Sequence, residues 1–321
     1  MSQSRCRRYT SIILQVVFTI CAFTTSTTLS TFTGNGTTSG IKEIFLGRCA
    51  EVKSGLVNPQ LNRQELRSKN CSHLWELFYN AFANTYPCNV TSKAFDVFVE
   101  EASVSTPPNK ALFWDGWDIF DTVRAYANEA KRAVPLEFLI TGYLINQLTF
   151  CGQEDSLGFN YDACPDWGEC GFGVGPMDGF WAAASRQFGT NANGNIKLML
   201  YSNTAGGSFR TQNSYFTEFE LPNLDPNKVT RLDIYLVTFF GETPGDTCAT
   251  GTIPELERRL SNKGINYECI EQPRDIVHLL CADNIEDNNC LLNSLSSTFP
   301  EPVIAIAISI VMQLLLSQSL Q

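Results

Sequence analysis

The stretch from 231 to 270 decides the fold. It reads Arg231-Leu-Asp-Ile-Tyr-Leu-Val-Thr-Phe-Phe240, then Pro254-Glu-Leu-Glu-Arg-Arg-Leu-Ser-Asn-Lys263, then Ile265-Asn-Tyr-Glu-Cys-Ile270. The first and third pieces are rich in branched and aromatic residues, as strands are. The middle piece has a proline at its start and Gly264 as its stop, the signature of a helix. Strand, helix and strand in so short a span imply a βαβ unit and a parallel sheet.

Further strands are expected at Ile196–Tyr201 and at Tyr215–Leu221. Upstream of about residue 193 the texture is helical. Leu74, Trp75, Phe78 and Phe82 recur at helical spacing within Ser72–Asn84. Pro107-Pro108 breaks the chain. Pro135 opens a second helical pattern, with Leu136, Leu139, Ile140, Tyr143, Leu144 and Leu148 on one face. Phe159–Gly175 reads as a loop, and Trp181–Phe188 as a short helix ending before Gly189. The expected class is therefore α/β in two lobes (α+β in overall organisation). A mainly helical lobe spans 45–192 and an α/β lobe spans 193–292; a segment near 109–134 is allowed to pack with the second lobe. Residues 31–44, rich in Thr, Gly and Ser toward their start, are expected to form a mobile leader.

Both ends read as processing signals. Arg5, Arg7 and Arg8 precede an apolar run from Ile12 to Phe23 and a small, polar stretch to Ser30, so 1–30 fits a cleaved secretory signal peptide. At the other end, small residues near Asn293 and Ser294 precede an apolar run from Val303 to Leu316 with no basic flank. That run is short for a spanning helix and fits a GPI-attachment signal over 293–321. The compartment expected is the secretory pathway, ending at the extracellular face of the membrane or an organelle lumen. The chain has 321 residues and a net charge of -10. With no basic block, it is a poor partner for nucleic acid, whose binding is driven by phosphate neutralisation. Of 12 cysteines, Cys6 and Cys21 leave with the signal, and the even remainder suits disulfides in an oxidising compartment. Two histidines and no Cys-x-x-Cys pair argue against a metal site. Asn35-Gly-Thr, Asn70-Cys-Ser and Asn89-Val-Thr are N-glycosylation sequons.

Several residues could carry chemistry, and each also has an ordinary explanation. Glu220 lies at the end of the Tyr215–Leu221 pattern. It is either a solvated strand residue or a carboxylate placed to face developing positive charge. Glu137 follows Pro135 in a first helical turn, where an acid simply suits the helix dipole. Trp114, in Phe113-Trp-Asp-Gly-Trp117, and Trp181, after Gly179-Phe180, are core residues or stacking platforms for a flat heterocycle. Ser185-Arg186 is a phosphate contact or plain helix surface.

Taken together, Ala111–Trp114, Leu136-Glu137, Thr141–Leu144, Leu148–Gly152, Cys164–Trp167, Phe180-Trp181 with Ser185-Arg186, and Asn213–Glu220 before Asn223-Leu224 resemble the animal ADP-ribosyl cyclase/cyclic ADP-ribose hydrolase family. These are ectoenzymes that convert NAD to cyclic ADP-ribose or ADP-ribose. The resemblance runs over about residues 45–292, in family order, and implies an active-site cleft between the helical and the parallel-sheet lobe. It implies that NAD is a substrate, with no cofactor. Glu220 would be the catalytic carboxylate that stabilises the ribosyl cation or a covalent intermediate. Glu137 would lie near the nicotinamide and tune cyclisation against hydrolysis. Trp114 and Trp181 would hold the nicotinamide, while Ser185 and the turn of Ser214, Tyr215 and Phe216 would lie near the phosphates. It also implies the pairs Cys49–Cys71, Cys88–Cys170, Cys151–Cys164, Cys248–Cys269 and Cys281–Cys290. Base exchange on NADP and a homodimer are further readings the resemblance carries. The alternative is a catalytically weak GPI-anchored receptor or adhesion module of the same fold.

The chain departs from its relatives at several points. Gly116 stands where they often place a phosphate-binding arginine, and Phe138 where several have an acid. Tyr215 is aromatic, as in strongly cyclising invertebrate relatives. The positions of a sixth bridge found in some relatives fall near Pro108 and Asn193.

Overall fold

Residues 231–270 form two parallel strands joined by a helix, and the rest of the sheet grows from them. A computed structural model of the chain describes residues 32–290 except 56, 59, 129–130, 154–157 and 289. The expected signal peptide and the attachment signal lie outside the described residues. Four strands, β1 (Leu112–Asp115), β2 (Gly194–Tyr201), β3 (Val229–Val237) and β4 (Tyr267–Glu271), pair in that order, all parallel. Trp114 lies opposite Met199, and Ile234 lies opposite Cys269.

Both faces of the sheet are covered, as a parallel sheet requires. Leu112, Met199 and Val237 point to one side, where they pack with residues of α5 (Phe120–Asn128) and α9 (Arg274–Asp283). Phe113, Leu198 and Ile234 point to the other, into the main core with Leu256 and Leu260 of α8 (Ile253–Lys263). That core continues into the helical part. There α1 (Ile41–Ser54), α2 (Arg63–Ser68), α3 (Cys71–Asn80) and α4 (Asp96–Ala102) enclose Phe45, Phe78, Phe82, Phe95 and Phe98. Helix α6 (Ile140–Tyr143) and the long α7 (Pro176–Asn191) complete it. The ring centroid of Phe78 is 4.9 Å from that of Phe150 and 5.1 Å from that of Phe82. Phe180 of α7 joins the same cluster. Among the described residues five disulfides join Cys49–Cys71, Cys88–Cys170, Cys151–Cys164, Cys248–Cys269 and Cys281–Cys290.

Several local expectations need correction. The 31–44 segment is not a free leader over its described part. Gly34 and Thr37 donate to the carbonyls of Cys164 and Asn160, Thr38 to that of Thr149, and α1 already begins at Ile41. The expected helix from Pro135 is broken into a 3-10 turn, Leu136–Phe138, and the single turn of α6, because Leu139 between them is extended. Helix α7 is longer than expected and runs straight through Gly189.

The largest correction concerns 215–221. It is not a strand but a helical turn with π-type hydrogen bonding, Phe216–Glu220, followed by a 3-10 turn, Leu221–Asn223. The backbone is capped at its start. Ser214 Oγ accepts from the Thr217 N–H at 3.2 Å, and the Asn213 N–H donates to Glu218 Oε1 at 2.6 Å. A serine hydroxyl that accepts from the N–H three residues on marks a helix start.

Candidate active site

Helix α7 organises the site. Asp178, Trp181 and Ser185 stand at i, i+3 and i+7 and so share one face. The 214–220 segment lies along that face. The Tyr215 hydroxyl donates to Asp178 Oδ1 at 2.6 Å, and the Ser185 hydroxyl donates to Glu220 Oε1 at 3.1 Å. The backbone of Glu220 approaches α7 closely at Gly189. A Cβ there would stand 2.6 Å from the Glu220 carbonyl oxygen, so the glycine is required by packing and does not stop the helix. Irregular π-type turns of this kind are frequent at functional sites.

A second group of residues comes from β1 and the Leu136–Phe138 turn. Trp114, near the carboxyl end of β1, donates its indole N–H to Glu137 Oε1 at 3.1 Å. Glu137 Oε2 is buried with no hydrogen-bond partner. Asp115, next in sequence, is buried and takes a two-pronged ion pair from Arg210. Ligands of open α/β sheets gather at the carboxyl ends of the strands, and these groups lie there.

The electrostatics are those of carboxylates short of solvent. Burial drives the Glu220 pKa well above the usual carboxylate range, against the pull of the Ser185 hydroxyl; the charges of Glu137 and Asp115 push it further up. Burial raises Glu137 to about 7, opposed by its own backbone N–H and by Trp114. An acid whose neutral form is favoured by burial gains from a nearby positive charge, which favours its ionised form.

The structure thus brings together Glu220, Ser185, Glu137 and Trp114, and places Trp181 on the α7 face that carries Ser185, with both indoles only partly buried. Ser185 contacts the carboxylate of Glu220 rather than standing apart as a phosphate ligand. Arg186 turns away to Asp96 and Ser92. Phe216 does not present its ring to a ligand, because that ring is wholly buried beside Phe113. Ser214 is likewise buried and caps the turn. Asp115, Asp178 and Arg210 were not singled out from sequence; Asp115 was masked by the aromatic run around it. A shallow groove of about 450 Å³ bordered by Glu65, Ser105, Asn191 and Lys228 contains none of the expected site residues. No cluster of three metal-ligating side chains occurs among the described residues.

A parallel sheet with Trp114 near the carboxyl end of its first strand, a buried glutamate seated on α7 and five disulfides among the described residues together define a narrow class of protein. The family model for ADP-ribosyl cyclase matches residues 38–290, and the chain belongs to that family of enzymes. It is 33% identical over 261 residues to human ADP-ribosyl cyclase/cyclic ADP-ribose hydrolase 2, covering 81% of this chain and 78% of the human one. It is 31% identical over 277 residues to the Aplysia californica ADP-ribosyl cyclase/cyclic ADP-ribose hydrolase, covering 86% of this chain and 95% of that one. Among solved structures, Aplysia cyclase complexed with substrate NGD and product cGDPR superposes with a TM-score of 0.72 at 33% identity, over 79% of this chain and 97% of that one. Porcine CD38 with a covalent intermediate, ribo-F-ribose-5'-phosphate, gives a TM-score of 0.67 at 29% identity, over 75% and 99%.

Proposed function

We propose that this enzyme cleaves the nicotinamide–ribose bond of NAD and releases cyclic ADP-ribose together with ADP-ribose. The observation that carries the reading is Glu220, a buried carboxylate fixed by the Ser185 hydroxyl. The nicotinamide ring of NAD is cationic while attached and neutral once it leaves, so no general acid is needed to expel it. What the reaction needs is a negative charge facing the anomeric carbon as it becomes cationic. Glu220 fills that role, either as a counter-charge or by forming an ester bond to that carbon, as the nucleophile of a retaining glycosidase does. The arriving pyridinium favours the ionised form of the otherwise neutral acid. Trp114 and Trp181 offer faces for the flat cation.

The second step decides the product. Attack by adenine N1 closes the ring, and attack by water gives ADP-ribose. The aromatic ring of Tyr215 favours the first outcome by keeping the adenine folded inward and water out. Glu137, hydrogen-bonded to Trp114, adjusts the balance from the nicotinamide side. Exchange of the nicotinamide of NADP for nicotinic acid is the same chemistry with a third nucleophile.

The test is a chromatographic product profile of the purified protein with NAD, and with NADP plus nicotinic acid. Substantial cyclic ADP-ribose is expected. ADP-ribose as nearly the sole product overturns the cyclase preference, and the absence of any nicotinamide release overturns the reaction.

The enzyme is read as an extracellular or lumenal glycoprotein held by a GPI anchor. Five disulfides and the exposure of Asn35, Asn70 and Asn89 support that reading. Among the described residues no helix is long and apolar enough to cross a membrane. Release from cells by a phosphatidylinositol-specific phospholipase tests the anchor.

A further inference from the structure

We propose that Arg210 is the diphosphate-binding residue of this enzyme, held in place by Asp115; the assignment rests on NAD being the substrate. Asp115 ends β1 immediately after Trp114 and is only 4% exposed. Its Oδ2 accepts from Arg210 Nε at 3.0 Å, and its Oδ1 accepts from Nη2. A guanidinium carries five N–H donors in a flat fork, and this side-on pair uses two of them. The remaining edge, Nη1 with the outer N–H of Nη2, carries no partner among the described residues. The Arg210 side chain is 39% exposed, so it has open surface to offer a ligand. An edge of this shape matches a phosphate through two parallel hydrogen bonds.

The main chain fixes the same residue from the other side. The Thr217 hydroxyl donates to the Arg210 carbonyl at 2.5 Å, and Thr217 lies three residues before Glu220. Arg210 is therefore tied both to the end of β1 and to the turn that presents Glu220.

Charge requires such a group. The diphosphate of NAD is anionic, while the site already gathers Glu220, Glu137 and Asp115. Among the described residues Arg210 is the one cationic side chain bonded to any of these three. Gly116 offers no ready substitute position. Its φ of 91° is one that side-chain-bearing residues rarely adopt.

The experiment compares ligands with and without the diphosphate. In Arg210→Gln, calorimetric affinity for ADP-ribose should fall roughly tenfold or more, the loss expected for a hydrogen bond to a charged group. KM for NAD should rise in parallel, with kcat changing far less, and inhibition by free nicotinamide should be unchanged. Arg210→Lys keeps the charge without the fork. It should recover part of the affinity, and it serves as the test if the glutamine variant does not fold. Unaltered ADP-ribose affinity overturns the assignment. So does an equal loss for nicotinamide, which would mark a general distortion of the cleft. Wild-type protein that neither cleaves NAD nor binds ADP-ribose would instead overturn the reading of the substrate.

Discussion

The Tyr215 hydroxyl donates a 2.6 Å hydrogen bond to the buried carboxylate of Asp178. The Gly168 N–H donates to the other oxygen of that carboxylate at 2.8 Å. The Tyr215 ring is held as well, with its centroid 5.0 Å from that of Phe172 and 5.8 Å from that of Phe219. Trp181 lies on α7 between Asp178 and Ser185, so the stretch of helix that carries it is clasped at one end by Tyr215–Asp178 and at the other by Glu220–Ser185. If the aromatic wall governs whether adenine or water attacks, the clasp on that wall sets the product ratio. Tyr215→Phe keeps the ring and removes the tether. We expect its ratio of cyclic to linear product to fall severalfold, with total nicotinamide release nearly unchanged. Asp178→Asn should move the ratio the same way, and chromatography of the products reads both. An unchanged ratio in the two variants would show the clasp to be structural only.

The βαβ unit at 231–270 and the aromatic spacing of α3 were legible because each pattern is local and strongly periodic. Strand β1 was not called as a strand. It has only four residues, and its neighbours β2 and Val134 lie far off in sequence. The 215–221 segment was misread because alternating aromatics suit a pleated strand, while the competing signal, Ser214 followed by Glu218, is a cap shifted by one residue. Gly189 reads as a stop because glycine usually is one after a helix. Its actual reason, the approach of a distant backbone, leaves no mark in the local sequence. Glu220, Glu137 and the two tryptophans were found through resemblance. Arg210 escaped because its partner, Asp115, is 95 residues away.

Glu220 should show its burial in pH profiles. The carboxylate must be ionised to act, and burial raises its pKa. The acid limb of kcat/KM, which reports the free enzyme, should therefore lie above the usual carboxylate range. The limb of kcat should lie lower, since bound substrate brings its own positive charge. Ser185→Ala removes a hydrogen bond that favours the anion and should move the kcat/KM limb to higher pH. Glu220→Gln should lower kcat by about 10²–10³-fold or more, the scale of losing one preorganised electrostatic group, while NAD affinity persists. Near-normal turnover in that variant would dismiss the proposed mechanism.

Glu137 bears on stability. Its pKa of about 7 in the folded protein exceeds the ordinary 4.5, so the folded state binds the proton more tightly than the unfolded chain does. That contribution is fully present below pH 4.5 and is lost as pH rises through about 7. Glu137→Gln mimics the neutral acid and keeps an oxygen for the Trp114 indole. Thermal unfolding should place the variant level with wild type at pH 5 and above it at pH 8.5, by on the order of 2–4 °C for each kcal/mol recovered. A gap that does not grow with pH would mean that Glu137 ionises normally.

Gly189 tests whether catalysis depends on where α7 lets Glu220 sit. An added methyl group would meet the Glu220 carbonyl oxygen at 2.6 Å and its Cα at 3.2 Å, both backbone atoms that cannot rotate away. Gly189→Ala leaves α7 intact, since alanine favours a helix more than glycine does. It must therefore push the 216–220 turn outward by several tenths of an ångström. Misplacing a catalytic group by about 1 Å can cost roughly 10²-fold in rate. We expect kcat to fall by about 10–100-fold, with far-ultraviolet circular dichroism unchanged and ADP-ribose affinity much less affected. A variant as active as wild type would show that the turn can shift without harm, and that Glu220 does not need the close seat on α7 that this glycine provides.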